Sequence, residues 1–324
     1  MVKAVRVHAY GGPEALVLDD ITVGDPGPGQ ARIRQTAVGL NYIDTYHRSG
    51  LYKLPSLPHA LGVEGAGMVE AVGDGVTNVK PGDRICYGSL LGAYAGTRIV
   101  PADRLLALPD GISEETAAAI MLKGMTARYL VRVTYPVKKG DTVLIHAAAG
   151  GVGLIACQWA KHLGATVIGT VGSDEKAALA KAHGCDHPVV YTRENFVERV
   201  KEITGGRKLP VVYDSVGKDT WEGSLDCLAP RGLMVSFGNA SGPVAPISIL
   251  TLSQKGSLFL TRPTLAHYII TRAEYEETAN DLFGVILSGA VKIEINQRYA
   301  LKDVAQAHRD LESRKTTGST ILIP

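Results

Sequence analysis

The stretch that decides the fold runs Val143-Leu144-Ile145-His146-Ala147-Ala148-Ala149-Gly150-Gly151-Val152-Gly153. An apolar run suited to a buried strand enters a glycine turn, and a helical pattern follows. Gly150 and Gly153 fill the second and third glycine positions of the dinucleotide fingerprint G-x-G-x-x-G, while Ala148 stands at the first. In that fingerprint the second glycine lets the backbone approach a pyrophosphate, the third lets helix and strand pack closely, and the amides that open the helix bind the anion. We therefore predict a nucleotide-binding turn rather than an ordinary β–α connection.

Strands and helices alternate around this turn. The pattern predicts strands at 142–147, 166–171, 188–191, 211–216 and 232–237, with helices at 152–163, 174–183, 194–204 and 221–228. Right-handed crossovers between such strands place helices on both faces of a sheet. We therefore predict an α/β fold with a doubly wound parallel sheet.

The segments on either side have a different texture. Up to about Gly111 the chain is rich in alternating strands and in Gly/Pro turns, whereas Ser113 reads as the N-cap of a helix that runs toward Val131. After Arg262 the pattern predicts helices at 272–288 and 301–315 and a closing strand at 319–323. We predict a mainly-β first domain, discontinuous over 1–124 and 263–324, and a nucleotide-binding domain over 125–262.

Composition restricts the class of protein. The 324 residues carry 34 Lys+Arg against 32 Asp+Glu, a formal net charge of +2, and 45% of them are hydrophobic. These values exclude a disordered chain and give no electrostatic reason to expect nucleic acid as a partner. No stretch reaches the roughly 18 apolar residues of a membrane span. We expect a soluble, cytoplasmic protein.

The cysteines are few and scattered. Cys86, Cys157, Cys185 and Cys227 never form the C-x-x-C spacing of a zinc site or a redox pair. The one compact His/Cys cluster, at 183–187, falls in a helix-to-strand turn, where a structural role is expected.

The end of the second strand of the nucleotide domain favours one cofactor. NAD sites usually place Asp or Glu there, about 20 residues past the fingerprint. This chain has Gly172 and Ser173 at that point, with Lys176 one turn into the next helix. A missing carboxylate and a nearby lysine favour a 2′-phosphate, hence NADPH. Asp174 and Glu175 stand beside the lysine, and a solvated helix start remains the alternative.

Several motifs along the chain together carry a family resemblance. The stretch Gly62-Val63-Glu64-Gly65-Ala66-Gly67, followed by Gly82-Asp83-Arg84, resembles the G-H-E and G-D-R motifs of medium-chain dehydrogenases/reductases. Segments 41–52, 122–127, 146–153, 212–217 and 236–239 look like the zinc-independent NADPH:quinone oxidoreductases of the zeta-crystallin type. The resemblance spans essentially the whole chain. It implies a GroES-like, mainly-β catalytic domain and a Rossmann nucleotide-binding domain.

Two positions separate this chain from the zinc-containing relatives. By the resemblance, Asn41 stands where those relatives carry a cysteine ligand, and Val63 where they carry the histidine of G-H-E. A catalytic zinc normally needs three protein ligands. We therefore predict no metal.

The resemblance also implies site residues. It assigns Asn41, Tyr46 and Asp44 to catalysis and Asn41, Tyr46 and Tyr52 to the acceptor. The cofactor contacts that it implies are Asn41, Thr126, Tyr129, Gly150, Gly151, Val152, Gly172, Ser173, Lys176, Tyr191, Ser215, Phe237, Gly238, Asn239, Phe259, Thr261 and Arg314. These residues also have purely structural interpretations: Asn41 can be a turn residue, the tyrosines can be packing residues, and Arg314 can be a surface cation. Lys123, in the 122–127 segment, can be a solvated helix lysine. His146 is expected to pack.

The leading functional hypothesis is NADPH-dependent reduction of a quinone, a small-molecule acceptor that needs no metal to polarise it. Reduction of α,β-unsaturated aldehydes or ketones is the enzymatic alternative, and a crystallin-like, non-catalytic NADPH-binding role is the other. The resemblance further implies a homodimer that pairs through an edge strand near Gly256 to Thr261.

Overall fold

The computed structural model describes residues 1–324. The first part of the chain forms β1 (Val2–Val7), β2 (Leu16–Ile21), β3 (Gln30–Leu40), α1 (Tyr42–Ser49), β4 (His59–Ala60), β5 (Glu64–Val72), β6 (Arg84–Gly88), β7 (Thr97–Pro101), β8 (Leu106–Ala107) and α2 (Glu114–Ile120). The middle forms α3 (Lys123–Tyr129), β9 (Thr142–Ile145), α4 (Gly151–His162), β10 (Thr166–Val171), α5 (Asp174–Ala182), β11 (His187–Val190), α6 (Phe196–Ile203), β12 (Leu209–Asp214), α7 (Trp221–Cys227), β13 (Leu228–Ser236), α8 (Leu250–Gln254) and β14 (Phe259–Thr261). The last part forms α9 (Arg272–Leu287), β15 (Ile295–Ala300), α10 (Val304–Glu312) and β16 (Ser319–Ile323).

The chain divides into two compact units. The first comprises residues 1–123, 269–283 and 293–324, and the second comprises 124–268 and 284–292. The segments 263–268 and 284–292, which the sequence suggests belong to the first domain, lie in the second unit. Side-chain contacts hold them there: Tyr268 stacks on Tyr129 with ring centroids 4.3 Å apart, and the Gln158 amide bonds both the N–H and the carbonyl of Lys292.

The first unit is built on β-sheet. Its larger sheet has the order β15-β16-β3-β5-β6-β8, with β7 paired to β3, and a smaller sheet has the order β2-β1-β4. The alternation along β3 buries Ala31 and Ile33 while Arg32 and Arg34 point away, as a strand with one covered face requires. The fully buried side chains Ile33, Leu61, Ile85 and Leu105 belong to the hydrophobic core of this unit.

The second unit contains one six-stranded sheet in the order β11-β10-β9-β12-β13-β14, and every neighbouring pair is parallel. This confirms the predicted doubly wound sheet. Because parallel strands align their carboxyl ends, the ends of β9, β10 and β11 lie along one edge of the sheet. None of the helices in the molecule is both long and apolar enough to cross a membrane.

The structure differs from the sequence pattern at two elements. Ser113 caps α2 through its hydroxyl, but the predicted helix from 113 to 131 breaks, because the N–H of Leu122 donates to the Glu64 carboxylate at 2.5 Å rather than to a helix carbonyl. The helix resumes as α3 and ends in a π-helical turn, Leu130–Thr134. Strand β15, which the pattern did not predict, pairs with β16.

Candidate functional site

The glycine turn presents an uncapped helix start. Gly150 is the N-cap of α4, and no side chain caps this helix, whereas Ser173 caps α5 and Asn195 caps α6. The first backbone bond of the helix runs from the Leu154 N–H to the Gly150 carbonyl. The three N–H groups before Leu154 therefore have no acceptor within α4, and its first turn carries no acidic residue.

The space around the glycines matches this arrangement. A Cβ added at Gly150 would meet only the Ala147 carbonyl oxygen, at 3.2 Å, whereas one at Gly153 would collide with that oxygen and lie 2.8 Å from Ala148 Cα. The space beside Gly150 is thus nearly open, whereas Gly153 is in close backbone packing. Amide donors at the positive end of a helix dipole, with no carboxylate beside them, fit a pyrophosphate.

Four predicted cofactor residues lie just past the carboxyl ends of β10 and β11: Gly172, Ser173, Lys176 and Tyr191. Gly172 and Ser173 follow β10, and Tyr191 follows β11, whose Val190 is in register with Val171 of β10. The Tyr191 hydroxyl lies 3.1 Å from where a Cβ of Gly172 would stand. Ser173 accepts the backbone N–H of Lys176 at 3.3 Å and so begins α5.

An ion pair at the same strand ends did not emerge from the sequence. Arg193, two residues past Tyr191, donates from both terminal nitrogens to the Asp174 carboxylate, at 2.7 and 2.6 Å. This contact holds the pKa of Asp174 below its usual range. The sequence offered no signal for the pair, because its members are 19 residues apart and neither belongs to the fingerprint.

The other predicted cofactor residues of the second unit are distributed over three places. Thr126 and Tyr129 are buried in α3. Gly238 packs tightly against Ser215, because a Cβ on Gly238 would stand 2.8 Å from Ser215 Cα. Phe237 and Asn239 flank that glycine. Phe259 and Thr261 lie on β14, at the edge of the sheet.

An arginine beyond β14 holds the segment around Gly238 through two backbone carbonyls. Arg262 donates to the carbonyls of Ser236, at 2.8 Å, and Gly238, at 3.3 Å. The Phe237 N–H donates to the Asp214 carbonyl at 2.8 Å. The ends of β12 and β13 are therefore tied together, and sequence reasoning had missed the contribution of Arg262.

In the first unit, Asn41 belongs to a buried polar cluster. Its Nδ2 donates to Glu64 Oε1 at 2.7 Å, and Lys123 Nζ donates to the same oxygen at 2.9 Å. Glu64 is 0% exposed and Lys123 6% exposed, so Lys123 is not a solvated helix lysine. Gly39 leaves room for the carboxylate, since a Cβ there would overlap it.

Asp44 is the final acceptor of a chain of hydrogen bonds that begins at Arg48. Because the Arg48 guanidinium only donates, His308 Nδ1 accepts from it at 3.0 Å. His308 Nε2 then carries the proton and faces the Tyr94 hydroxyl at 3.2 Å. Tyr94 in turn donates to Asp44 Oδ2 at 2.8 Å. Arg48 also forms two hydrogen bonds with Glu312, at 2.7 and 3.0 Å.

Burial controls the charge of this carboxyl. Asp44 Oδ2 also accepts the Asn41 N–H at 2.8 Å, but the buried Oδ1 has no hydrogen-bond partner. Burial raises the pKa of Asp44 to about 7, although the bonds from Tyr94 and Asn41 oppose the rise. Asp44 can therefore gain or lose a proton near neutral pH.

Aromatic side chains and Arg314 complete the predicted set. Tyr46 is 8% exposed, and its ring centroid lies 5.2 Å from that of Tyr52 and 5.8 Å from that of Tyr42. Arg314, just past α10, lies near Tyr42 and lowers its pKa, against the larger effect of burial. These residues belong to the first unit.

His146 does more than pack. It is 1% exposed, and its ring nitrogens lie 2.8 Å from the Thr170 hydroxyl and 2.9 Å from the Ser224 hydroxyl. Ser224 donates to Asp214 Oδ2 at 2.9 Å, so the buried network links β9, β10, β12 and α7. It is a scaffold rather than a hydrolase triad, since the serine lies between the histidine and the aspartate.

No group of three or more His, Cys, Asp or Glu side chains in the molecule could hold a metal ion. The four cysteines are free and buried, and burial raises the pKa of the Cys86 thiol to about 12.

The glycine turn follows a strand of a parallel sheet, and the two ends of the chain form the other, mainly-β unit. This architecture is that of the medium-chain dehydrogenases/reductases. Two family models match: the alcohol dehydrogenase GroES-like domain over residues 27–110 and zinc-binding dehydrogenase over 151–284. The quinone oxidoreductase of Pseudomonas aeruginosa is 57% identical, over 100% of both chains.

Solved structures point to the same family. The quinone oxidoreductase of Pseudomonas syringae pv. Tomato DC3000 has a TM-score of 0.98 and 54% identity, over 100% of both chains. The Escherichia coli quinone oxidoreductase, solved as a complex with NADPH, has a TM-score of 0.98 and 53% identity, over 99% of this chain and 100% of that one. The chain belongs to the quinone oxidoreductase family, as its sequence predicted.

Proposed function

We propose that the protein reduces quinones with NADPH, by hydride transfer and without a metal. The observation that carries this proposal is the uncapped start of α4 beside a β10 end that continues into Gly172 and Ser173, with Lys176 in the first turn of α5, in a chain 57% identical to a quinone oxidoreductase. The relative solved with NADPH supports the cofactor.

Different residues would bind different parts of the cofactor. The α4 amides at Gly151 and Val152 would hold the pyrophosphate, and Ser173, Lys176 and Tyr191 the 2′-phosphate. Thr126, Tyr129, Ser215, the 237–239 segment, Phe259 and Thr261 would line the rest of the cofactor, with Arg314 as a further phosphate partner. When bound, the nicotinamide supplies the hydride.

On the acceptor side, Asn41 would donate to a quinone oxygen, and Tyr46 and Tyr52 would provide an aromatic wall. Glu64 fixes the orientation of the Asn41 amide, because a carboxylate only accepts. Asp44 supports the Asn41 backbone. The quinone takes up the hydride and one proton, which water can provide. Asn41 and Val63 stand where zinc ligands would be needed, which supports a metal-free site.

A substrate panel tests this function. We expect NADPH oxidation with quinones at least tenfold faster, in kcat/KM, than with α,β-unsaturated aldehydes or ketones. The reverse order would favour the enone alternative. NADPH binding without turnover of any acceptor would leave only the non-catalytic role.

The cofactor choice has its own variant. Lys176→Glu should weaken NADPH binding by about tenfold or more and leave NADH nearly unchanged, because only NADPH carries the 2′-phosphate charges that the glutamate repels. Isothermal titration with both dinucleotides measures this. Equal weakening of the two would remove Lys176 from the 2′-phosphate site.

We also propose a homodimer in the cytoplasm. Strand β14 ends the sheet, and Phe259 is 62% and Leu260 38% exposed there, so two copies could pair these edges about a two-fold axis. Free buried cysteines fit a reducing compartment. Light scattering should give about twice the 34.3 kDa chain mass. Leu260→Glu should yield monomers, whereas Val17→Glu, at a residue 42% exposed on β2, should not. A monomeric wild-type protein would contradict the dimer.

A further inference from the structure

The start of α5 carries two carboxylates beside the lysine on which the cofactor prediction depends. Asp174 and Glu175 open α5, and Lys176 follows them. Asp174 lies three residues past the end of β10, close to where NAD-specific sites place a carboxylate that accepts from the ribose hydroxyls. A free carboxylate there would favour NADH and repel a 2′-phosphate.

Arg193 binds this carboxylate. Its two terminal nitrogens each bind one Asp174 oxygen, at 2.7 and 2.6 Å, which is the planar geometry of a bidentate guanidinium–carboxylate pair. Arg193 occupies both oxygens and cancels one negative charge. Without it, the formal charges of Asp174, Glu175 and Lys176 sum to −1; with it they sum to zero.

The register of the sheet explains why this arginine reaches Asp174. The Tyr191 N–H donates to the Val171 carbonyl at 3.1 Å, and the Thr192 hydroxyl donates to the Gly172 carbonyl at 3.4 Å. The segment after β11 therefore lies along the start of α5, and Arg193 is the next residue.

We propose that Arg193 is a positioning residue for cofactor selectivity: by binding Asp174 it keeps that carboxylate from accepting a ribose hydroxyl and from repelling the 2′-phosphate. The inference rests on the proposed use of NADPH and deepens it. Both side chains are more than half exposed, at 57% and 68%, so substitutions at either position should leave the fold intact.

The test compares Arg193→Gln, Asp174→Asn and the double variant in titrations with NADPH and NADH, without quinone. Arg193→Gln should weaken NADPH binding about fivefold and leave NADH equal or tighter, because it releases one carboxylate near a doubly charged phosphate. The double variant has the wild-type net charge and should return to within about twofold of the wild-type Kd. The loss in Arg193→Gln should shrink at high salt.

A matched control removes the same charge elsewhere. Lys161, in the last turn of α4, pairs with Asp186 at 2.5 Å, and Asp186 precedes β11, at the opposite edge of the parallel sheet. Lys161→Gln should change neither Kd by more than about 1.5-fold, since Asp186 precedes β11 whereas Asp174 follows β10, and the two charges therefore lie at opposite ends of the parallel strands.

Two results would overturn the inference alone. In the first, Arg193→Gln keeps the wild-type ratio of NADH to NADPH affinities. In the second, the double variant stays as weak as Arg193→Gln, because Arg193 then contacts the phosphate itself rather than acting through Asp174. A wild-type protein that binds both dinucleotides equally would overturn the proposed cofactor and this inference together.

Discussion

Lys123→Met is expected to lower the free energy of unfolding by about 3 to 5 kcal/mol, because it leaves the Glu64 carboxylate buried without its counter-charge. The two side chains are 8% and 0% exposed and lie 2.9 Å apart. Methionine keeps the length and apolar stem of lysine, so the loss reports mainly the charge. Urea unfolding followed by circular dichroism measures the effect.

Two further variants isolate the ion pair. Lys123→Met/Glu64→Gln removes both charges and should recover part of the loss, since no isolated charge remains in the interior. The recovery should be incomplete, because the glutamine NH2 replaces one of the two oxygens that accept from Asn41 and Leu122. Lys161→Met removes a lysine from an ion pair with Asp186 whose lysine side chain is 51% exposed, and it should cost about 1 kcal/mol or less. If Lys123→Met proved as mild as Lys161→Met, the buried pair would not stabilise the protein.

The parallel sheet was predictable because its signals are local. Each strand is a short apolar run, each helix is bounded by caps such as Gly164 and Gly184, and the fingerprint occupies eleven consecutive residues, 143–153. Strand β15 gave a weaker signal, because Gln297 interrupts its apolar face and only pairing with β16 makes the segment a strand.

The polar cluster was only half predictable. Asn41, Asp44 and Glu64 fall in recognisable motifs, but Lys123 is 59 residues from Glu64, and its sequence neighbourhood reads as an ordinary helix. Glu64, the partner of Lys123, also breaks the predicted helix, because its second carboxylate oxygen accepts the Leu122 N–H. The roles of Arg193 and Arg262 could not be predicted for the same reason, because long-range hydrogen bonds leave no periodic pattern in a sequence.

The third glycine of the fingerprint gives the second large effect. Alanine in place of glycine within a helix normally stabilises it by roughly 1 kcal/mol, but at Gly153 we expect the opposite sign. A Cβ there would overlap the Ala147 carbonyl oxygen and lie 2.8 Å from two backbone atoms of Ala148. Backbone cannot move aside as a flexible side chain can, so overpacking should cost about 3 kcal/mol, or a fall in Tm of about 6 to 12 °C.

Two other glycines make the argument specific. Gly284→Ala, in α9 with nothing within 4 Å of the new Cβ, should leave Tm unchanged or raise it slightly. Gly150→Ala meets a single atom at 3.2 Å, so it should change Tm by no more than about 2 °C yet weaken NADPH binding, because the methyl group would stand where we propose that the backbone meets the pyrophosphate. We therefore expect different roles for the two glycines: Gly153 permits the close packing of α4 against Ala147 and Ala148, and Gly150 leaves space for the proposed ligand. Equal losses of stability at 150 and 153 would contradict that division, as would a Gly153→Ala protein that melts with the wild type.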